Sequence, residues 1–468
     1  MTPTGPAPAN LVESRSPADP DDLLAAEAPT GPEGVRAAHH RAREAQREWW
    51  QAGAASRAGA LGRLASSLDA RFDEAVGLVV REVAKPAVEA RSEVSRARSI
   101  LDFYAQQSFA PLGEVFPPSA PGMLWTERRP HGVAGLITPW NFPLAIPLWK
   151  AAPALAAGNA VLLKPAPEAL ATAMWLERLA ADILPAGLLQ VLPGDAETGQ
   201  AVVDAADVVS FTGSVAVGRE VSLAAARRGV PVQAEMGGQN AAIVLPDADA
   251  ASVAEMIASA SMAFAGQKCT ATLRVVIVGS QARQREVRDH LVDAIAALRV
   301  GEPGEEGTVV GPVVNARARQ NVVEAVESVR KTAGRLLTGG AGLDRPGWFV
   351  APALVEGLDA GHALVQEELF GPFAVVQTAA DVEAAVALAE GVRYGLVTSL
   401  HGRDAGVLLD VVSRLGTGMV KVNAPTTGVD FYAPFGGERD SSYGPREQGS
   451  VALDFYSSSR TVTFARHA

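Results

Sequence analysis

The sequence predicts a mixed α/β fold built on two parallel sheets. After residue 132, short apolar runs such as VAGLI (133–137) and AVLLKP (160–165) alternate with amphipathic stretches of helical length. A second alternation of the same kind begins near residue 238. Strands separated by helices of about 10–15 residues indicate β-α-β crossovers, which connect parallel strands.

Helices dominate the region before these alternations. Residues 1–20 are rich in Pro, Ala and Asp and show no periodicity, so we expect a flexible lead-in there. From about Gly31 to Gln106, apolar residues recur every three or four positions between charged residues. This spacing predicts a series of amphipathic helices.

The first alternation continues with a helix over 143–157 that ends at Gly158-Asn159. A second helix follows from about Glu168 to Leu184. The remaining elements predicted there are strands LLQVLP (188–193) and DVVSF (207–211), the turn TGS and the helix VAVGREVSLAAARRG (215–229).

The second alternation continues to about Val420. Its first elements are the strand AAIVL (241–245), the helix 251–264, the strand RVVIVG (274–279) and the helix 284–300. The C-terminal SSSRTVTFARH alternates apolar and polar residues, which predicts a lone strand. A lone strand needs a partner, for which another subunit is a candidate.

Composition and charge exclude several functional classes. The chain has 41 basic and 52 acidic residues, a net charge of −11, and no basic stripe, so we expect no nucleic-acid partner. The most apolar stretch is repeatedly broken by Pro, Asn, Trp and Lys, so we expect no membrane span. The N-terminus lacks the pattern of a secretory signal, and we expect a cytoplasmic protein. A single cysteine excludes an intramolecular disulfide or a cysteine-rich metal site, and we expect no metal.

That cysteine, Cys269, is the first candidate for chemistry. It follows a predicted helix and Gly266, on a loop that enters a strand. A lone cysteine is often a small buried hydrophobic residue, but its loop position and polar neighbours favour a nucleophile. Glu235 is a candidate base, because it ends an apolar run where partial desolvation would raise the pKa of its carboxyl. A salt bridge at the end of the strand is the alternative for Glu235.

Other candidates follow strands of the first alternation. Asn141 can stabilise an oxyanion through its amide, or cap the helix that starts near Pro143. Gly213 and Ser214 begin a helix behind a strand, where free N–H groups attract phosphate. Lys164 ends AVLLKP, where its ammonium can meet a ribose hydroxyl or a phosphate, or lie solvated at the surface.

Six ordered blocks of the sequence resemble the signatures of the aldehyde dehydrogenase superfamily, from about residue 30 to residue 465. They are PWNFPLAIPLWKAAPALAAGNAVLLKPAPE, FTGSVAVGREV, AEMGGQNAAIVLPDAD, GQKCTATLR, EELFGPFAVV and PFGG. The resemblance implies an aldehyde dehydrogenase-like α/β fold with an atypical Rossmann domain for NAD(P), an α/β catalytic domain and a small β extension for oligomerisation. The implied bounds are 21–111 and 131–236 for the NAD(P) domain, 237–436 for the catalytic domain, and 112–130 and 454–466 for the extension. The extension implies a homodimer or homotetramer.

The resemblance also implies residue roles. Cys269 corresponds to the nucleophile, Glu235 to the general base, and Lys150 to a lysine implicated in proton relay. Asn141 and the Cys269 N–H correspond to the oxyanion hole. The positions that correspond to cofactor contacts are Ile137, Pro139, Trp140, Lys164, Gly213, Ser214, Glu368 and Phe370.

The reaction implied is oxidation of an aldehyde to its carboxylic acid with NAD or NADP. Thiolate attack gives a thiohemiacetal, loss of hydride leaves a thioester, and water activated by Glu235 hydrolyses it. Similar enzymes that pass the acyl group to coenzyme A lack this glutamate. Its presence here favours the free acid.

One departure from the family pattern bears on the cofactor. Many members that prefer NAD have a glutamate three residues after the cofactor lysine, where this chain has Pro167. Without an acidic group there, a 2′-phosphate is repelled less, so we expect NADP to be accepted about as readily as NAD.

Other departures bear on the substrate. Glu390 replaces the usual Asn before the Tyr-Gly-Leu block, and the ending SSYGPREQG has one extra residue. That ending, with QAEMGGQN, looks most like the α-ketoglutaric semialdehyde dehydrogenase branch. A carboxylated aldehyde needs an arginine or polar clamp in the entrance tunnel, for which Arg128 and Arg129 are candidates unless they are simply exposed. Small aliphatic or aromatic aldehydes are the alternative substrates.

Two other classes of protein compete with this interpretation. A cysteine acyltransferase or hydrolase would use the same thiol with a histidine partner, but none of the seven histidines lies in a block that resembles one. A non-catalytic member of the same fold would be expected to lose the thiol or the base. This chain has both, so the sequence favours a dehydrogenase.

Overall fold

The computed structural model describes residues 11–111 and 113–465. Residues 1–10 of the expected lead-in, and residues 112 and 466 of the expected extension, lie outside them. Residues 12–15 differ from the expected lead-in, because they form strand β1 (Val12–Arg15), antiparallel to β2 (Leu23–Glu27). The buried Ser14 hydroxyl donates a 2.6 Å hydrogen bond to Glu82, which anchors this hairpin to the body of the protein.

Four helices follow, as the periodicity predicted. They are α1 (Pro32–Gln51), α2 (Gly53–Ala70), α3 (Phe72–Val83) and α4 (Ala87–Gln107). Between α3 and α4, the fully buried Lys85 forms an ion pair with Glu93 and donates to the Asn141 carbonyl at 2.7 Å. A buried charge is tolerated only with such partners, so these contacts of Lys85 fix the start of α4 against the segment around Asn141.

The next region forms a six-stranded sheet. Its elements in chain order, preceded by two strands of a separate sheet, are β3 (Val115–Phe116), β4 (Gly122–Pro130), β5 (Val133–Thr138), α5 (Ala145–Ala156), β6 (Ala160–Pro165), α6 (Leu170–Ala181), β7 (Leu189–Val191), α7 (Ala196–Ala205), β8 (Val208–Thr212), α8 (Val215–Arg228) and β9 (Val232–Glu235). Strands β9-β8-β5-β6-β7 are parallel, and residues 442–443 pair antiparallel with β9. Helix α7 was not predicted from the sequence.

The order of these strands creates a crevice. From β5 the chain proceeds outward through β6 and β7, whereas β8 and β9 lie on the other side of β5. In open parallel sheets, ligands bind outside the carboxyl ends of the strands where the order reverses. Here these ends are Thr138 of β5 and Thr212 of β8. The crevice therefore lies where residues 139–141 and 213–214 follow them.

A second sheet follows the first. Its region contains β10 (Ala241–Val244), α9 (Ala250–Met262), β11 (Arg274–Val278), α10 (Gln281–Ala296), α11 (Ala316–Val329), β12 (Arg335–Thr338), β13 (Ala353–Glu356), α12 (Ala363–Gln366), β14 (Phe373–Ala379), α13 (Val382–Glu390), β15 (Tyr394–Gly395), β16 (Val397–His401), α14 (Ala405–Arg414) and β17 (Met419–Val422). The sheet order is β12-β13-β14-β11-β10-β16-β17, parallel except for β12. Both predicted parallel sheets are therefore present.

The C-terminal strand has its partner within the chain. The last elements are β18 (Glu438–Arg439), β19 (Ser442–Tyr443), α15 (Val451–Phe455) and β20 (Ser457–Ala465). Strand β20 pairs antiparallel with β4 from Ser457↔Pro130 to Ala465↔Gly122, and β3 covers the other edge of β4. The expectation of a lone strand was wrong, because β4 offers a strand of matching length. No helix in the described part of the chain is long and apolar enough to cross a bilayer.

Candidate active site

Cys269 is positioned by an unusual turn after α9. Phe264 and Ala265 have φ values of 54° and 53°, and Gly266 follows with 65°. A Cβ on Gly266 would lie 2.3 Å from the carbonyl oxygen of Gly371, so this position requires glycine. Left-handed backbone at non-glycine residues costs free energy and is found preferentially at functional sites. The turn places Cys269 on a loop between α9 and β11.

Side-chain amides hold this loop. The Asn240 amide donates to the carbonyl oxygens of Cys269 (2.7 Å) and Ala271 (2.8 Å). The buried Gln267 donates to Phe264 O and accepts from the Val314 N–H. These bonds link the loop to Asn240 and to Val314 through backbone polar groups. The backbone on both sides of the thiol is therefore fixed.

Cys269 lines two cavities. The larger, of about 310 Å³, has as its lining Pro139, Trp140, Asn141, Ile146, Thr212, Gly213, Ser214, Met236, Gly237, Cys269, Glu368 and Phe370. The second cavity, of about 190 Å³, has a different lining that includes Phe142, Trp149, Val429 and Phe435. The thiol is thus accessible from two sides, an arrangement suited to a reaction between two ligands.

The lining of the larger cavity offers contacts for parts of a dinucleotide. It lies at the crevice between β5 and β8, and Ser214 caps α8, whose first N–H groups lack intrahelical partners. The Thr212 hydroxyl is buried without a hydrogen-bond partner among the described residues. The Trp140 and Phe370 rings meet edge to face at 5.7 Å, and they form an aromatic wall. Phosphate, hydroxyl and ring surfaces of a dinucleotide all have counterparts here.

Two of the predicted cofactor residues do not line this cavity. Ile137 is buried within β5, and Lys164 lies opposite it at the end of β6. Burial lowers the pKa of Lys164, while the carboxylates of Glu168 and Asp195 oppose that shift. Lys164 thus has carboxylates in its neighbourhood, although it forms no ion pair within 4.0 Å among the described residues.

The thiol of Cys269 is buried near three carboxyl groups. Burial raises the pKa of Cys269 to about 12, and the charges of Glu368, Glu235 and Glu447 add to that effect. Burial also raises the pKa of Glu368 to about 8, although its carboxylate accepts from the Gly238 N–H at 3.3 Å. The free protein therefore holds a protonated thiol at neutral pH.

Glu235 ends β9 with a carboxyl that is only half satisfied. Its Oε2 accepts a 2.6 Å hydrogen bond from Ser442 of β19, while Oε1 has no partner among the described residues. Burial first, and then the charge of Glu447, raise the pKa of Glu235 well above its ordinary value. A buried carboxylate with one free oxygen can accept a proton from water.

The partner of Lys150 is Glu447, which was not predicted from the sequence as a site residue. The Lys150 ammonium forms a buried ion pair with Glu447, and donates to the Ser210 hydroxyl at 2.8 Å. Glu447 also accepts from the indole N–H of Trp149 at 2.9 Å. The signal for Glu447 in the sequence was the glutamate of REQG, within the ending SSYGPREQG, to which the sequence analysis gave no catalytic role.

Asn141 is not a helix cap. No side-chain cap is found for α5, and the Asn141 amide instead donates to the Gln267 carbonyl at 3.0 Å. An amide has two N–H donors, so the second is available to an oxyanion in the cavity that Asn141 lines. This geometry agrees with the oxyanion interpretation.

The two arginines proposed for a substrate carboxylate lie elsewhere. Arg128 and Arg129 are in β4, where Arg128 pairs with Asp454 at 2.7 Å and Arg129 pairs with Glu127 at 2.7 Å. Neither lines the cavities at Cys269. The tunnel hypothesis for these residues was wrong, since β4 belongs to the three-stranded extension.

Covalent catalysis by a thiol beside a nucleotide crevice is the class of chemistry that this fold and site define. Comparisons with known proteins narrow it. A family model described as the aldehyde dehydrogenase family matches residues 6–462. An α-ketoglutaric semialdehyde dehydrogenase of Bacillus subtilis is 34% identical over 97% of this chain and 94% of its own length. A 2,5-dioxopentanoate dehydrogenase of Saccharolobus solfataricus is 35% identical over 96% and 95%.

Solved structures agree with the sequence comparisons. An NAD-dependent aldehyde dehydrogenase of Sinorhizobium meliloti superposes with a TM-score of 0.93, at 28% identity over 98% of this chain and 92% of that one. A betaine aldehyde dehydrogenase of Staphylococcus aureus in complex with NAD+ gives 0.93, at 25% identity over 97% and 92%. The chain belongs to the aldehyde dehydrogenase family. It is an enzyme that oxidises an aldehyde to the acid with a nicotinamide cofactor, and the acyltransferase and non-catalytic alternatives are not favoured.

Alkylation of the single cysteine tests the electrostatics of the site. We expect the rate with iodoacetamide to keep rising above pH 9, because the raised pKa keeps Cys269 protonated where an ordinary thiol, with a pKa of about 8.5, is largely ionised. Glu235→Gln should shift the profile to lower pH, since it removes a negative charge that raises this pKa. Mass spectrometry of the labelled chain gives the rate, with Cys269→Ser as the blank. A rate that levels off by pH 8 would contradict the assignment.

Proposed function

We propose that this enzyme oxidises an aldehyde that carries a carboxylate, of the α-ketoglutaric semialdehyde type, to the dicarboxylic acid. The observation that carries the proposal is the position of Cys269 between a nucleotide crevice and a second, smaller cavity. The substrate class is supported by the names of the two relatives described above. A benzaldehyde dehydrogenase of Pseudomonas putida is 33% identical over 94% of the chain, and it makes an aromatic aldehyde the second candidate.

In the first step, the thiol of Cys269 releases its proton to solvent, and the thiolate attacks the aldehyde carbon at the point that both cavities share. The carbonyl oxygen becomes an alkoxide, and the Cys269 N–H and the free N–H of Asn141 stabilise it. A bound nicotinamide supplies the acceptor for the hydride that leaves this carbon. The acyl group then remains on Cys269 as a thioester.

The crevice residues would hold that cofactor. We assign Trp140 and Phe370 to its ring surfaces, Gly213 and Ser214 to phosphate, and Glu368 to a hydroxyl group. Pro139 also lines this cavity, and Ile137 and Lys164 belong to the same strand ends, farther from the thiol. Because position 167 is proline, we propose that NADP is accepted as well as NAD.

Glu235 carries the second step. Its unpartnered Oε1 takes a proton from a water molecule, which attacks the thioester carbon while the carbon–sulfur bond breaks. Glu235 must then lose that proton. Glu447 and Lys150 influence the pKa of Glu235, and with Ser210 they offer polar atoms for the transfer. We therefore retain Lys150 as a relay residue and add Glu447.

We also propose the domain roles implied by the resemblance. Residues 21–111 and 131–236 bind the cofactor, residues 237–436 carry the nucleophile, and 112–130 with 454–466 join subunits. Edge strand β20 and exposed apolar residues such as Val115 and Phe464 support an assembly through the three-stranded sheet, as a homodimer or homotetramer. The lone thiol suits the reducing cytoplasm, where we place the enzyme.

A spectrophotometric assay of reduced nicotinamide tests the proposed substrate. We expect kcat/KM for 2,5-dioxopentanoate to exceed the value for pentanal and for benzaldehyde by about tenfold or more. The reason is that a positively charged side chain in the substrate cavity would pair with the carboxylate. The control is each aldehyde without cofactor. Equal values for the three aldehydes would remove the carboxylated class and leave the oxidation mechanism in place. A preference for benzaldehyde would favour the second candidate.

Glu235→Gln separates the two chemical steps. We expect a burst of reduced cofactor close to one equivalent per active site, followed by turnover slowed by about 10²-fold or more, because hydrolysis has lost its base. Rapid mixing with absorbance detection resolves the burst. Glu220→Gln, an exposed change on α8, should behave as wild type. Wild-type turnover in Glu235→Gln would show that another group activates the water.

Pro167→Glu tests the cofactor preference. In the wild-type enzyme we expect KM values for NAD and NADP within about tenfold of each other. The variant should raise KM for NADP by about tenfold or more, since the new carboxylate repels the 2′-phosphate, and should change KM for NAD much less. Pro167→Ala, which adds no charge, is the matched control. An equal effect of both variants on both cofactors would indicate a purely structural change.

A further inference from the structure

The second cavity contains a charged residue that the reaction steps above do not use. The apolar part of its lining is formed by Phe142, Trp149, Val429 and Phe435. The charged part consists of Glu89, Glu93, Lys268 and Arg96 of α4, whose side chain is partly buried. An arginine in the wall of a pocket is the type of polar group that fixes the orientation of a ligand.

The neighbouring charges on α4 already have partners. Glu89 pairs with Lys268 at 2.7 Å, and Glu93 forms its ion pair with Lys85. Glu93 also accepts from two backbone N–H groups at the start of α5, both at 3.0 Å. Two carboxylates are therefore matched by two ammonium groups. Arg96 takes part in neither pair.

The guanidinium of Arg96 has no hydrogen bond or ion pair within the described residues. Burial lowers the pKa of Arg96, while the carboxylates of Glu93, Asp430 and Glu89 oppose that shift. None of these three lies within 4.0 Å of it, and the first and last are paired elsewhere. Asp430 is exposed. A desolvated guanidinium without a direct partner can gain a charge-assisted, bidentate interaction when a carboxylate enters the cavity.

Ser92 adds a second donor. It lies one helical turn before Arg96, lines the same cavity and makes no side-chain hydrogen bond within the described residues. Residues four apart on a helix share one face, so the hydroxyl and the guanidinium point the same way. Arginine can bind a carboxylate and serine can donate to a neighbouring oxygen.

We propose that Arg96 binds the carboxylate of the substrate at the end opposite the aldehyde, with Ser92 as a second donor to the adjacent polar group. This inference rests on the proposed function, since it identifies how that enzyme selects a carboxylated aldehyde. The apolar residues of the cavity then contact the carbon chain, and Cys269 lines the same cavity. Arg96 is thus a determinant of specificity and takes no part in bond making.

The test compares aldehydes of equal chain length with and without a carboxylate. For 5-oxopentanoate and 2,5-dioxopentanoate, Arg96→Gln should lower kcat/KM by about 30-fold or more, mainly through KM, because the carboxylate loses its charged partner. For pentanal, the same variant should change kcat/KM by less than about threefold. Arg96→Lys should restore part of the preference, since it keeps the charge without the planar fork.

The matched control is Arg98→Gln. Arg98 lies on the same helix, pairs with Asp102 at 3.1 Å and does not line the cavity, so it should keep the wild-type preference. A wild-type preference that survives unchanged in Arg96→Gln would overturn the role of Arg96 alone. Equal losses for pentanal and for the carboxylated aldehydes would assign Arg96 a structural role and also overturn it. No carboxylate preference in the wild-type enzyme would overturn the proposed substrate class and, with it, this inference.

Discussion

Burial of three carboxyl groups near one thiol is the constraint on which the rest of the site depends. Glu368, Glu235 and Glu447 all act on Cys269, and an unpaired buried carboxylate is unstable. Each carboxylate therefore has at least one donor: a backbone N–H for Glu368, a hydroxyl for Glu235, and the ammonium of Lys150 for Glu447. These donors come from distant parts of the chain. The fold must bring them together before the thiol has a defined environment.

The two sheets meet this constraint through the return of the C-terminal segment. After β17, the chain crosses back to the first sheet, where β19 pairs with β9. That pairing places Ser442 next to Glu235. Backbone hydrogen bonds between Phe435 and Glu447 close the segment that contains β18 and β19. Cys269 belongs to the region of the second sheet and lies on the loop that follows the turn at Phe264. One segment near the end of the chain thus completes a site that begins at β5.

The predictability of each residue follows from how local its signal is. Asn141 and Gly213 follow strands that short apolar runs reveal, so the sequence placed both after strand ends of the first sheet. Glu447 lies in a polar, charged ending typical of an exposed loop. Its burial depends on Lys150, 297 positions away, which no local pattern encodes. Arg96 was hidden for a similar reason, since SEVSRARS matches a solvated helix face. The partner of β20 was equally non-local.

The distribution of polar groups around the thiol also bears on the orientation of the proposed substrate. Three carboxyl groups raise the pKa of Cys269, whereas Arg96 lies on α4 in the lining of the second cavity. A substrate carboxylate that entered towards these carboxyl groups would be desolvated without a cation to pair with, because Lys150 is already paired with Glu447. The proposed contact with Arg96 gives the opposite orientation, which leaves the aldehyde free to meet Cys269.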